Sequence, residues 1–284
     1  MITIPRTLID REVQVSDTLV YRKDLPKNMK ISAIDVGFRF TNGGTLAANK
    51  DALEIINHLT LLFNGTEAKF NLTGKDCYHY NRVRMGHNLK NTFVDTISAT
   101  SEFWLRIPCG RFLGDPNFGL DTSKSDNVQL QVDYALSNFG TVGTHVITGT
   151  LSITIIMHVF GPKSQPSFQG MIGCREFWTG TTVASRANLQ SLPSQKPITS
   201  LFVSCREDAI ADAVDITDIS VGKDNMNNVL IAGKWYNLQA EQRARIGLME
   251  ENFVMSPTAG ATLITHVGNI KKVVITPNTI TAVT

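Results

Sequence analysis

The sequence predicts an all-β protein with two tandem domains, each a β-sandwich or jelly roll. Three observations lead to this prediction. Apolar and polar residues alternate with period two in many short runs bounded by turn residues, and helical periodicity is nearly absent. A module made of a hairpin and a short polar segment occurs at 56–86 and, in degraded form, at 216–247. The copies lie about 160 residues apart, far beyond solenoid periods of roughly 20–50 residues, which favours two domains over a repeat array.

The first part of each module has the pattern of a β-hairpin. In the first copy the alternation at 59–61 runs into Asn64 and Gly65, the strongest short hairpin signal, and resumes at 70–72. In the second copy the alternation at 219–221 runs into a polar turn and resumes at 229–231. Each hairpin is followed by Gly-Lys and a polar segment that ends in glycine, which predicts a short helix.

The first domain is predicted to span 31–160, preceded by an N-terminal arm or edge strand at 1–30. In the run 31–40, even-numbered apolar residues share one face and Asp35, Gly37 and Arg39 the other, which predicts a half-buried strand. Roughly eight strands are expected in this half. Strands are also predicted at 93–97, 101–107, 128–134 and 148–160, with a turn-rich loop at 110–127 and a glycine-rich loop at 138–144.

A linker is predicted at 161–170, because this stretch has two prolines, two glycines and no periodicity. The second domain is therefore predicted to span 171–284. A β-rich run is expected at 174–183, and further strands at 198–203, 251–255, 263–267 and 272–275, in addition to the second hairpin.

The composition does not favour a nucleic-acid or membrane-surface protein. Of the 284 residues, 42% are hydrophobic and 18% charged, and the net charge is only +2. The four cysteines lie far apart, which indicates isolated thiols made in a reducing cytosol. We expect no signal peptide and no membrane span, since the N-terminus is charged and no apolar run is long enough.

No catalytic, cofactor or metal constellation is recognisable, so we predict that the protein is not an enzyme and has no catalytic, cofactor-binding or metal-binding residues. The loop 115–121 superficially resembles a calcium loop, but it lacks the downstream bidentate glutamate, and ordinary turn chemistry is favoured. His158 is expected to be exposed or hydrogen-bonded. Trp104, Trp178 and Trp235 are dispersed, which favours core or interface packing over a sugar-stacking platform.

Several segments carry a resemblance to a known family. Residues 55–81 look like its hairpin, "ltg" turn and short helix; 103–108, 115–122 and 128–134 look like its "ip…d…Ldt…vqlqv" succession; 189–203 resembles the proline-marked entry to its second domain. The family is that of the double jelly-roll major capsid proteins of tailless, membrane-containing DNA bacteriophages, of the tectivirus and corticovirus kind.

The resemblance implies two tandem eight-stranded jelly rolls with short helices after the hairpins, and a viral structural function. Such proteins form pseudo-hexagonal homotrimers that tile an icosahedral shell over an internal lipid membrane. The expected partners are neighbouring capsomers, penton proteins and minor capsid proteins, with no specific nucleic-acid recognition. The expected location is the virion, after synthesis in the host cytoplasm. Arg6, Arg11, Arg22 and Lys23 of the N-terminal arm are candidates for contact with the membrane.

Two other functions remain open at this stage. One is a glycan-binding or glycan-cleaving β-sandwich, in which Trp104 or Trp178 stacks against sugar rings. The other is a minor virion or spike protein with the same fold.

Overall fold

The protein, in a computed structural model, divides into two compact units, Met1–Glu176 and Phe177–Thr284. The structure describes residues 2–45, 52–85, 89–92, 96–162, 165–177, 190–192, 198, 200–204, 218–223, 228–234, 237–238, 241, 253–255, 264–266 and 272–275.

The described residues of the first unit form eight long strands, three two-residue strands and one α-helix. In chain order they are β1 (Thr3–Val13), β2 (Thr18–Asp24), β3 (Lys30–Thr41), β4 (Ile56–Phe63), β5 (Glu67–Leu72), α1 (Gly74–Met85), β6 (Asn91–Thr92), β7 (Thr100–Pro108), β8 (Leu120–Asp121), β9 (Val128–Ala135), β10 (Ser152–Phe160) and β11 (Cys174–Arg175). Short 3-10 helices lie at Ala52–Ile55, Thr122–Lys124 and Leu136–Asn138.

The long strands form two four-stranded antiparallel arrays. Sheet A has the order β1-β10-β3-β7 and sheet B the order β5-β4-β9-β2; β6 and β8 extend sheet A, and β11 extends sheet B. Counted along the chain, the eight long strands therefore pair as 1-8-3-6 and 2-7-4-5. This arrangement of two sheets with Greek-key connections is a jelly roll. The predicted edge position of the N-terminal residues is confirmed, since β1 and β2 are outer strands of the two sheets.

The core lies between the two sheets and consists of the inward-facing residues of the long strands. Phe38 and Phe103 stack at its centre with ring centroids 5.0 Å apart. Burial of each large apolar side chain stabilises the fold by about 1.5–3 kcal/mol. The inward residues include Ile34, Val36, Phe40, Leu59, Leu61, Phe70, Leu105, Ile107, Leu130, Val132, Tyr134, Ile153, Ile155 and Met157.

The predicted first hairpin and the helix after it are confirmed. β4 pairs with β5, and both turn residues have positive φ, 51° at Asn64 and 74° at Gly65, as a type I′ turn requires. At the start of helix α1, Thr73 and Asp76 are joined by a hydrogen bond. The Asp76 amide donates to the Thr73 Oγ1 at 3.2 Å. The glycine predicted to end this helix lies outside the described residues.

The strand at 30–41 is confirmed, but the prediction that it is half-buried is wrong. Both faces of β3 are buried, including Asp35 at 7% exposure. The reason is that β3 lies between β10 and β7, and larger side chains of these neighbours cover its outward residues. A Cβ placed on Gly37 would lie 2.7 Å from the ring of Trp104, which shows how closely the indole covers this strand.

Two other strand predictions need correction. Within 93–97, Thr96 and Ile97 lie in a turn instead of a strand, and Ile97 is 50% exposed; residues 93–95 lie outside the described residues. The strand predicted at 148–160 begins only at Ser152, because Gly149 has φ 63° in the preceding turn. A register shift after His158 also removes Val159 from the inward row and buries Phe160 in its place.

The described part of the predicted linker packs on the first unit. Phe168 is buried and meets Phe160 edge to face, with ring centroids 5.4 Å apart. Lys30 donates to the carbonyl of Pro166, and Lys124 donates to that of Phe168 at 3.2 Å. β11, in the β-rich run predicted to open the second domain, pairs in parallel with β5. The domain boundaries 31–160, 161–170 and 171–284 stay predictions.

The described strands of the second unit form three antiparallel pairs. β12 (Leu201–Ser204) pairs with β17 (Lys272–Ile275), β13 (Asp218–Lys223) with β14 (Asn228–Lys234), and β15 (Phe253–Met255) with β16 (Ile264–His266). The second hairpin, β13 to β14, is therefore confirmed, as are the strands predicted within 251–255, 263–267 and 272–275. In the segment after the second hairpin, Asn237, Leu238 and Glu241 are helical and the rest lies outside the described residues.

Candidate functional site

The described residues contain no group of three or more His, Cys, Asp and Glu side chains that could hold a metal ion. In the loop that superficially resembled a calcium site, both carboxylates have local roles. Asp115 binds Arg111 and backbone amides, and Asp121 accepts from the amide of Ser123 at 3.1 Å, where it caps a 3-10 helix. Among the described helices, none is both long and apolar enough to cross a membrane.

The loop after β7 is held by a buried carboxylate. The side chain of Asp115 accepts from the amide, Nε and Nη2 of Arg111 at 3.0, 2.8 and 3.0 Å, and from the amide of Asn117 at 2.9 Å. The Arg111 guanidinium is the main cause that holds the pKa of Asp115 well below its usual range. The amide of Gly114 also donates to the buried Ser32 hydroxyl at 2.8 Å. The backbone of this loop is therefore fixed at several points.

This fixed loop carries two exposed apolar side chains, which we call the 112–113 tip. Phe112 is 59% exposed and Leu113 is 46% exposed. The guanidinium of Arg111 lies 5.8 Å from the Phe112 ring and 5.1 Å from the Phe118 ring. Large apolar side chains on a preorganised loop lose little entropy on binding, so the tip has the properties of a protein contact.

A second exposed apolar surface, the 13–19 turn, connects β1 to β2. Val13, Val15 and Leu19 are 58%, 90% and 43% exposed. The turn is tied to the loop before β10, since the amide of Gln14 donates to the Leu151 carbonyl at 2.7 Å. Three large apolar side chains exposed within seven consecutive residues make this turn a candidate for contact with another macromolecule.

The outward face of sheet A carries a charge cluster that sequence reasoning missed. Asp35 of β3 accepts from Arg106 of β7 through Nε at 2.5 Å and Nη2 at 2.7 Å, and His158 of β10 places Nε2 2.8 Å from the same carboxylate. The Arg106 and His158 side chains are each 14% exposed. Burial by itself raises the pKa of Asp35, but the hydrogen bonds from Arg106 and His158 outweigh it, and the pKa lies below its ordinary value.

The helix α1 is attached to the free edge of sheet A beside this cluster. The Asn81 side chain donates to the Arg106 carbonyl at 2.7 Å and accepts from the Arg106 amide at 2.7 Å. The Asn81 side chain thus makes the two backbone hydrogen bonds at Arg106 that a neighbouring strand would otherwise make. His158 is hydrogen-bonded, as predicted. A charged residue inside the apolar run 31–40 was the available signal for the cluster, but its partners lie 71 and 123 residues away in the sequence.

Other residues of interest lie at separate places. Trp104 lies partly exposed on the outward face of sheet A, against Gly37, instead of in the predicted core, and donates from Nε1 to Glu102 at 2.7 Å. Trp178 and Trp235 lie outside the described residues. Arg6 and Arg11 belong to β1, whereas Arg22 and Lys23 belong to β2 in the other sheet. Cys77, Cys109 and Cys174 are free thiols, as expected.

No protein-family model matches this sequence, and no curated protein matches it. Two solved structures resemble nearly the whole chain. The crystal structure of the STIV MCP aligns with a TM-score of 0.63 and 11% identity, covering 96% of this chain and 84% of that chain. A chain of the atomic structure of Sulfolobus Turreted Icosahedral Virus aligns with a TM-score of 0.66 and 14% identity, covering 97% and 80%. The MCP is a major capsid protein with two jelly rolls, and the predicted double jelly-roll fold is therefore confirmed for this chain.

Proposed function

We propose that this protein is the major capsid protein of a virus, and that its function is assembly without catalysis. The observation that carries the proposal is the likeness of its fold, over nearly the full length of both chains, to a viral major capsid protein. The surface chemistry agrees with this role, because exposed apolar residues lie on fixed loops of the described surface. We place the mature protein in the virion after synthesis in the host cytoplasm.

We propose a homotrimer with a pseudo-hexagonal outline as the assembly unit. The 112–113 tip and the 13–19 turn are the surfaces that we assign to contacts between subunits or with neighbouring capsomers. Obligate interfaces often bury more than about 2,000 Å² and are rich in aromatic and apolar residues. The trimers would tile an icosahedral shell with penton and minor capsid proteins.

The proposed shell encloses a lipid membrane, as in the viruses that the sequence resembles. The four basic residues considered for this contact are divided between β1 and β2, at the edges of different sheets. Each basic residue near an anionic bilayer adds roughly 1 kcal/mol of attraction, which salt weakens. Flotation with vesicles that contain anionic lipid, at low salt and at about 1 M salt, where the Debye length is only about 3 Å, tests this part. Protein that stays unbound at low salt would remove the membrane from the proposal.

The absolute mass of the purified chain in solution tests the assembly unit. Light scattering should give a single species near three times the chain mass of 31.3 kDa, stable on dilution. A monomer at all concentrations would contradict the trimer. The replacement Phe112→Ser then tests the assigned surface, with the exposed Phe177→Ser as a matched control. If Phe112→Ser and the control assemble equally well, the tip is not a subunit contact.

A further inference from the structure

The outward face of sheet A contains a depression of about 230 Å³ between the end of β1 and Trp104 of β7. Its lining includes Thr7, Arg11, Arg39, Glu102, Trp104 and Thr154, which come from all four long strands of the sheet. The lining combines an aromatic wall, hydroxyl groups, two guanidinium groups and the carboxylates of Asp10 and Glu102. No interaction described above uses this combination.

An irregularity in the register of β1 determines the position of one side of the depression. The register passes from Ile9 opposite Ile155 to Glu12 opposite Ile153, so Asp10 and Arg11 share the position opposite one residue of β10. Arg11 has φ 50°, a left-handed conformation that is uncommon for arginine, and its amide donates to the Thr154 Oγ1 at 3.2 Å. Bulges of this kind redirect side chains, often beside binding sites.

The two arginines of the depression differ from Arg106 and Arg111. Arg106 and Arg111 each hold an aspartate with two nitrogen atoms. The guanidinium groups of Arg11 and Arg39 have no hydrogen bond or ion pair in the part of the chain that the structure describes. The Asp10 carboxylate has none there either. The charge of Arg39 acts on Glu102 opposite it on β7, but among the described residues neither guanidinium is held by a hydrogen-bonded ion pair. Two such groups around one concave surface are suited to an anion, above all a carboxylate.

The aromatic wall is fixed before any ligand binds. Trp104 lies against Gly37 and donates to Glu102 at 2.7 Å, and Glu102 also pairs with Lys90 at 3.3 Å. The hydrogen bond from Trp104 is the main cause that lowers the pKa of Glu102. Glu102 is thus a positioning residue, and its charge is already matched.

We propose that this depression binds an acidic monosaccharide unit, a pyranose ring that carries a carboxylate. The carboxylate pairs with Arg11 and Arg39, and the face of the ring that presents C–H groups packs on Trp104. The ring hydroxyls bond to Asp10, Thr7 and Thr154. The volume lies just below the roughly 300–1,000 Å³ of drug-sized pockets, which limits the ligand to one ring. The site does not depend on the proposed capsid function.

Titration of the full chain with D-glucuronate, followed by saturation-transfer NMR, tests the site directly. A ligand of this size in a shallow pocket should bind with a Kd of about 1 mM. D-glucose is the matched probe without a carboxylate and should bind at least about tenfold more weakly. Equal binding of the two sugars, or no glucuronate binding up to about 20 mM, would overturn the proposal.

Substitutions locate the binding. Arg11→Gln and Arg39→Gln should each weaken glucuronate binding about tenfold or more while leaving the thermal unfolding temperature unchanged. Arg175→Gln removes an exposed arginine from β11 in sheet B and should have no effect. Trp104→Phe keeps an aromatic wall and should weaken both sugars to the same extent. Glucuronate binding that survives the removal of both Arg11 and Arg39 would show that the ligand is elsewhere and the assignment wrong.

Discussion

Asp35 and Asp115 each hold an arginine through both carboxylate oxygens, but in different parts of the first unit. Asp35 and Arg106 face each other on neighbouring strands, 71 residues apart in the sequence, and the Arg106 side chain is only 14% exposed. Arg111 and Asp115 are four residues apart in one loop, and the Arg111 side chain is 46% exposed. The first pair connects strands, whereas the second sets the shape of a loop. Burial of the arginine should therefore decide how much each aspartate contributes to global stability.

The largest effect is expected from Asp35→Leu. This change leaves the Arg106 charge buried without its partner, which typically costs about 3–5 kcal/mol of unfolding free energy. Urea denaturation of the variant measures the loss. The double variant Asp35→Leu with Arg106→Met should lose less than Asp35→Leu alone, because no charge is then left unpaired. An equal or greater loss in the double variant would show that the packing at this position matters more than the charge.

The Asp35 pair should also make stability depend on pH. The pKa of Asp35 is lowered in the folded protein, so the unfolded chain binds a proton at higher pH than the folded one. Its stabilisation is thus present above the unfolded pKa of about 3.9 and is lost as the pH falls through the lower folded value. The difference in unfolding free energy between the wild type and Asp35→Asn should shrink over this acid range. A constant difference would mean that the Asp35 charge does not contribute.

Removal of Asp115 should have a smaller and more local effect. In Asp115→Leu, the Arg111 guanidinium can turn to water, but the amides of Arg111 and Asn117 lose their acceptor. Hydrogen exchange at these two amides should accelerate at least about tenfold, while the amides of β3 and β7 exchange as before. Ser123 offers an internal control, because its amide is bound by Asp121 in the neighbouring 3-10 helix. Faster exchange throughout sheet A would contradict a local role.

The difference between the two pairs also explains what could be predicted from the sequence. Period-two alternation predicted β3, β7, β9 and β10, and the Asn64 and Gly65 pair predicted the first hairpin, because these signals are local. The Asp35 cluster depends on strand register, which joins residues from three strands far apart in the chain. Alternation placed Asp35 on the correct face of its strand.

Burial of the outward face of β3 could not be predicted from the sequence, because it depends on Trp104 lying across Gly37. The bulge at Arg11 and the register shift after His158 were equally unpredictable, since no proline or glycine marks either position. The candidate surfaces divide in the same way. The loop 110–127 was recognised as a loop from its turn residues, whereas the depression beside Trp104 requires four strands to be placed in order.

The smallest effect on stability is expected at the 112–113 tip. Phe112→Ser removes a side chain that is 59% exposed, so the unfolding free energy should change by no more than about 0.5 kcal/mol. The proposed trimer should nevertheless dissociate at a higher protein concentration in this variant than in the wild type, because an aromatic anchor at an interface contributes far more than an exposed side chain. Analytical ultracentrifugation over a dilution series measures this.

Asp115→Leu should weaken association in the same direction, since it loosens the loop that holds Phe112 in place. If Phe112→Ser weakens association and Asp115→Leu does not, the tip binds its partner without needing the fixed loop.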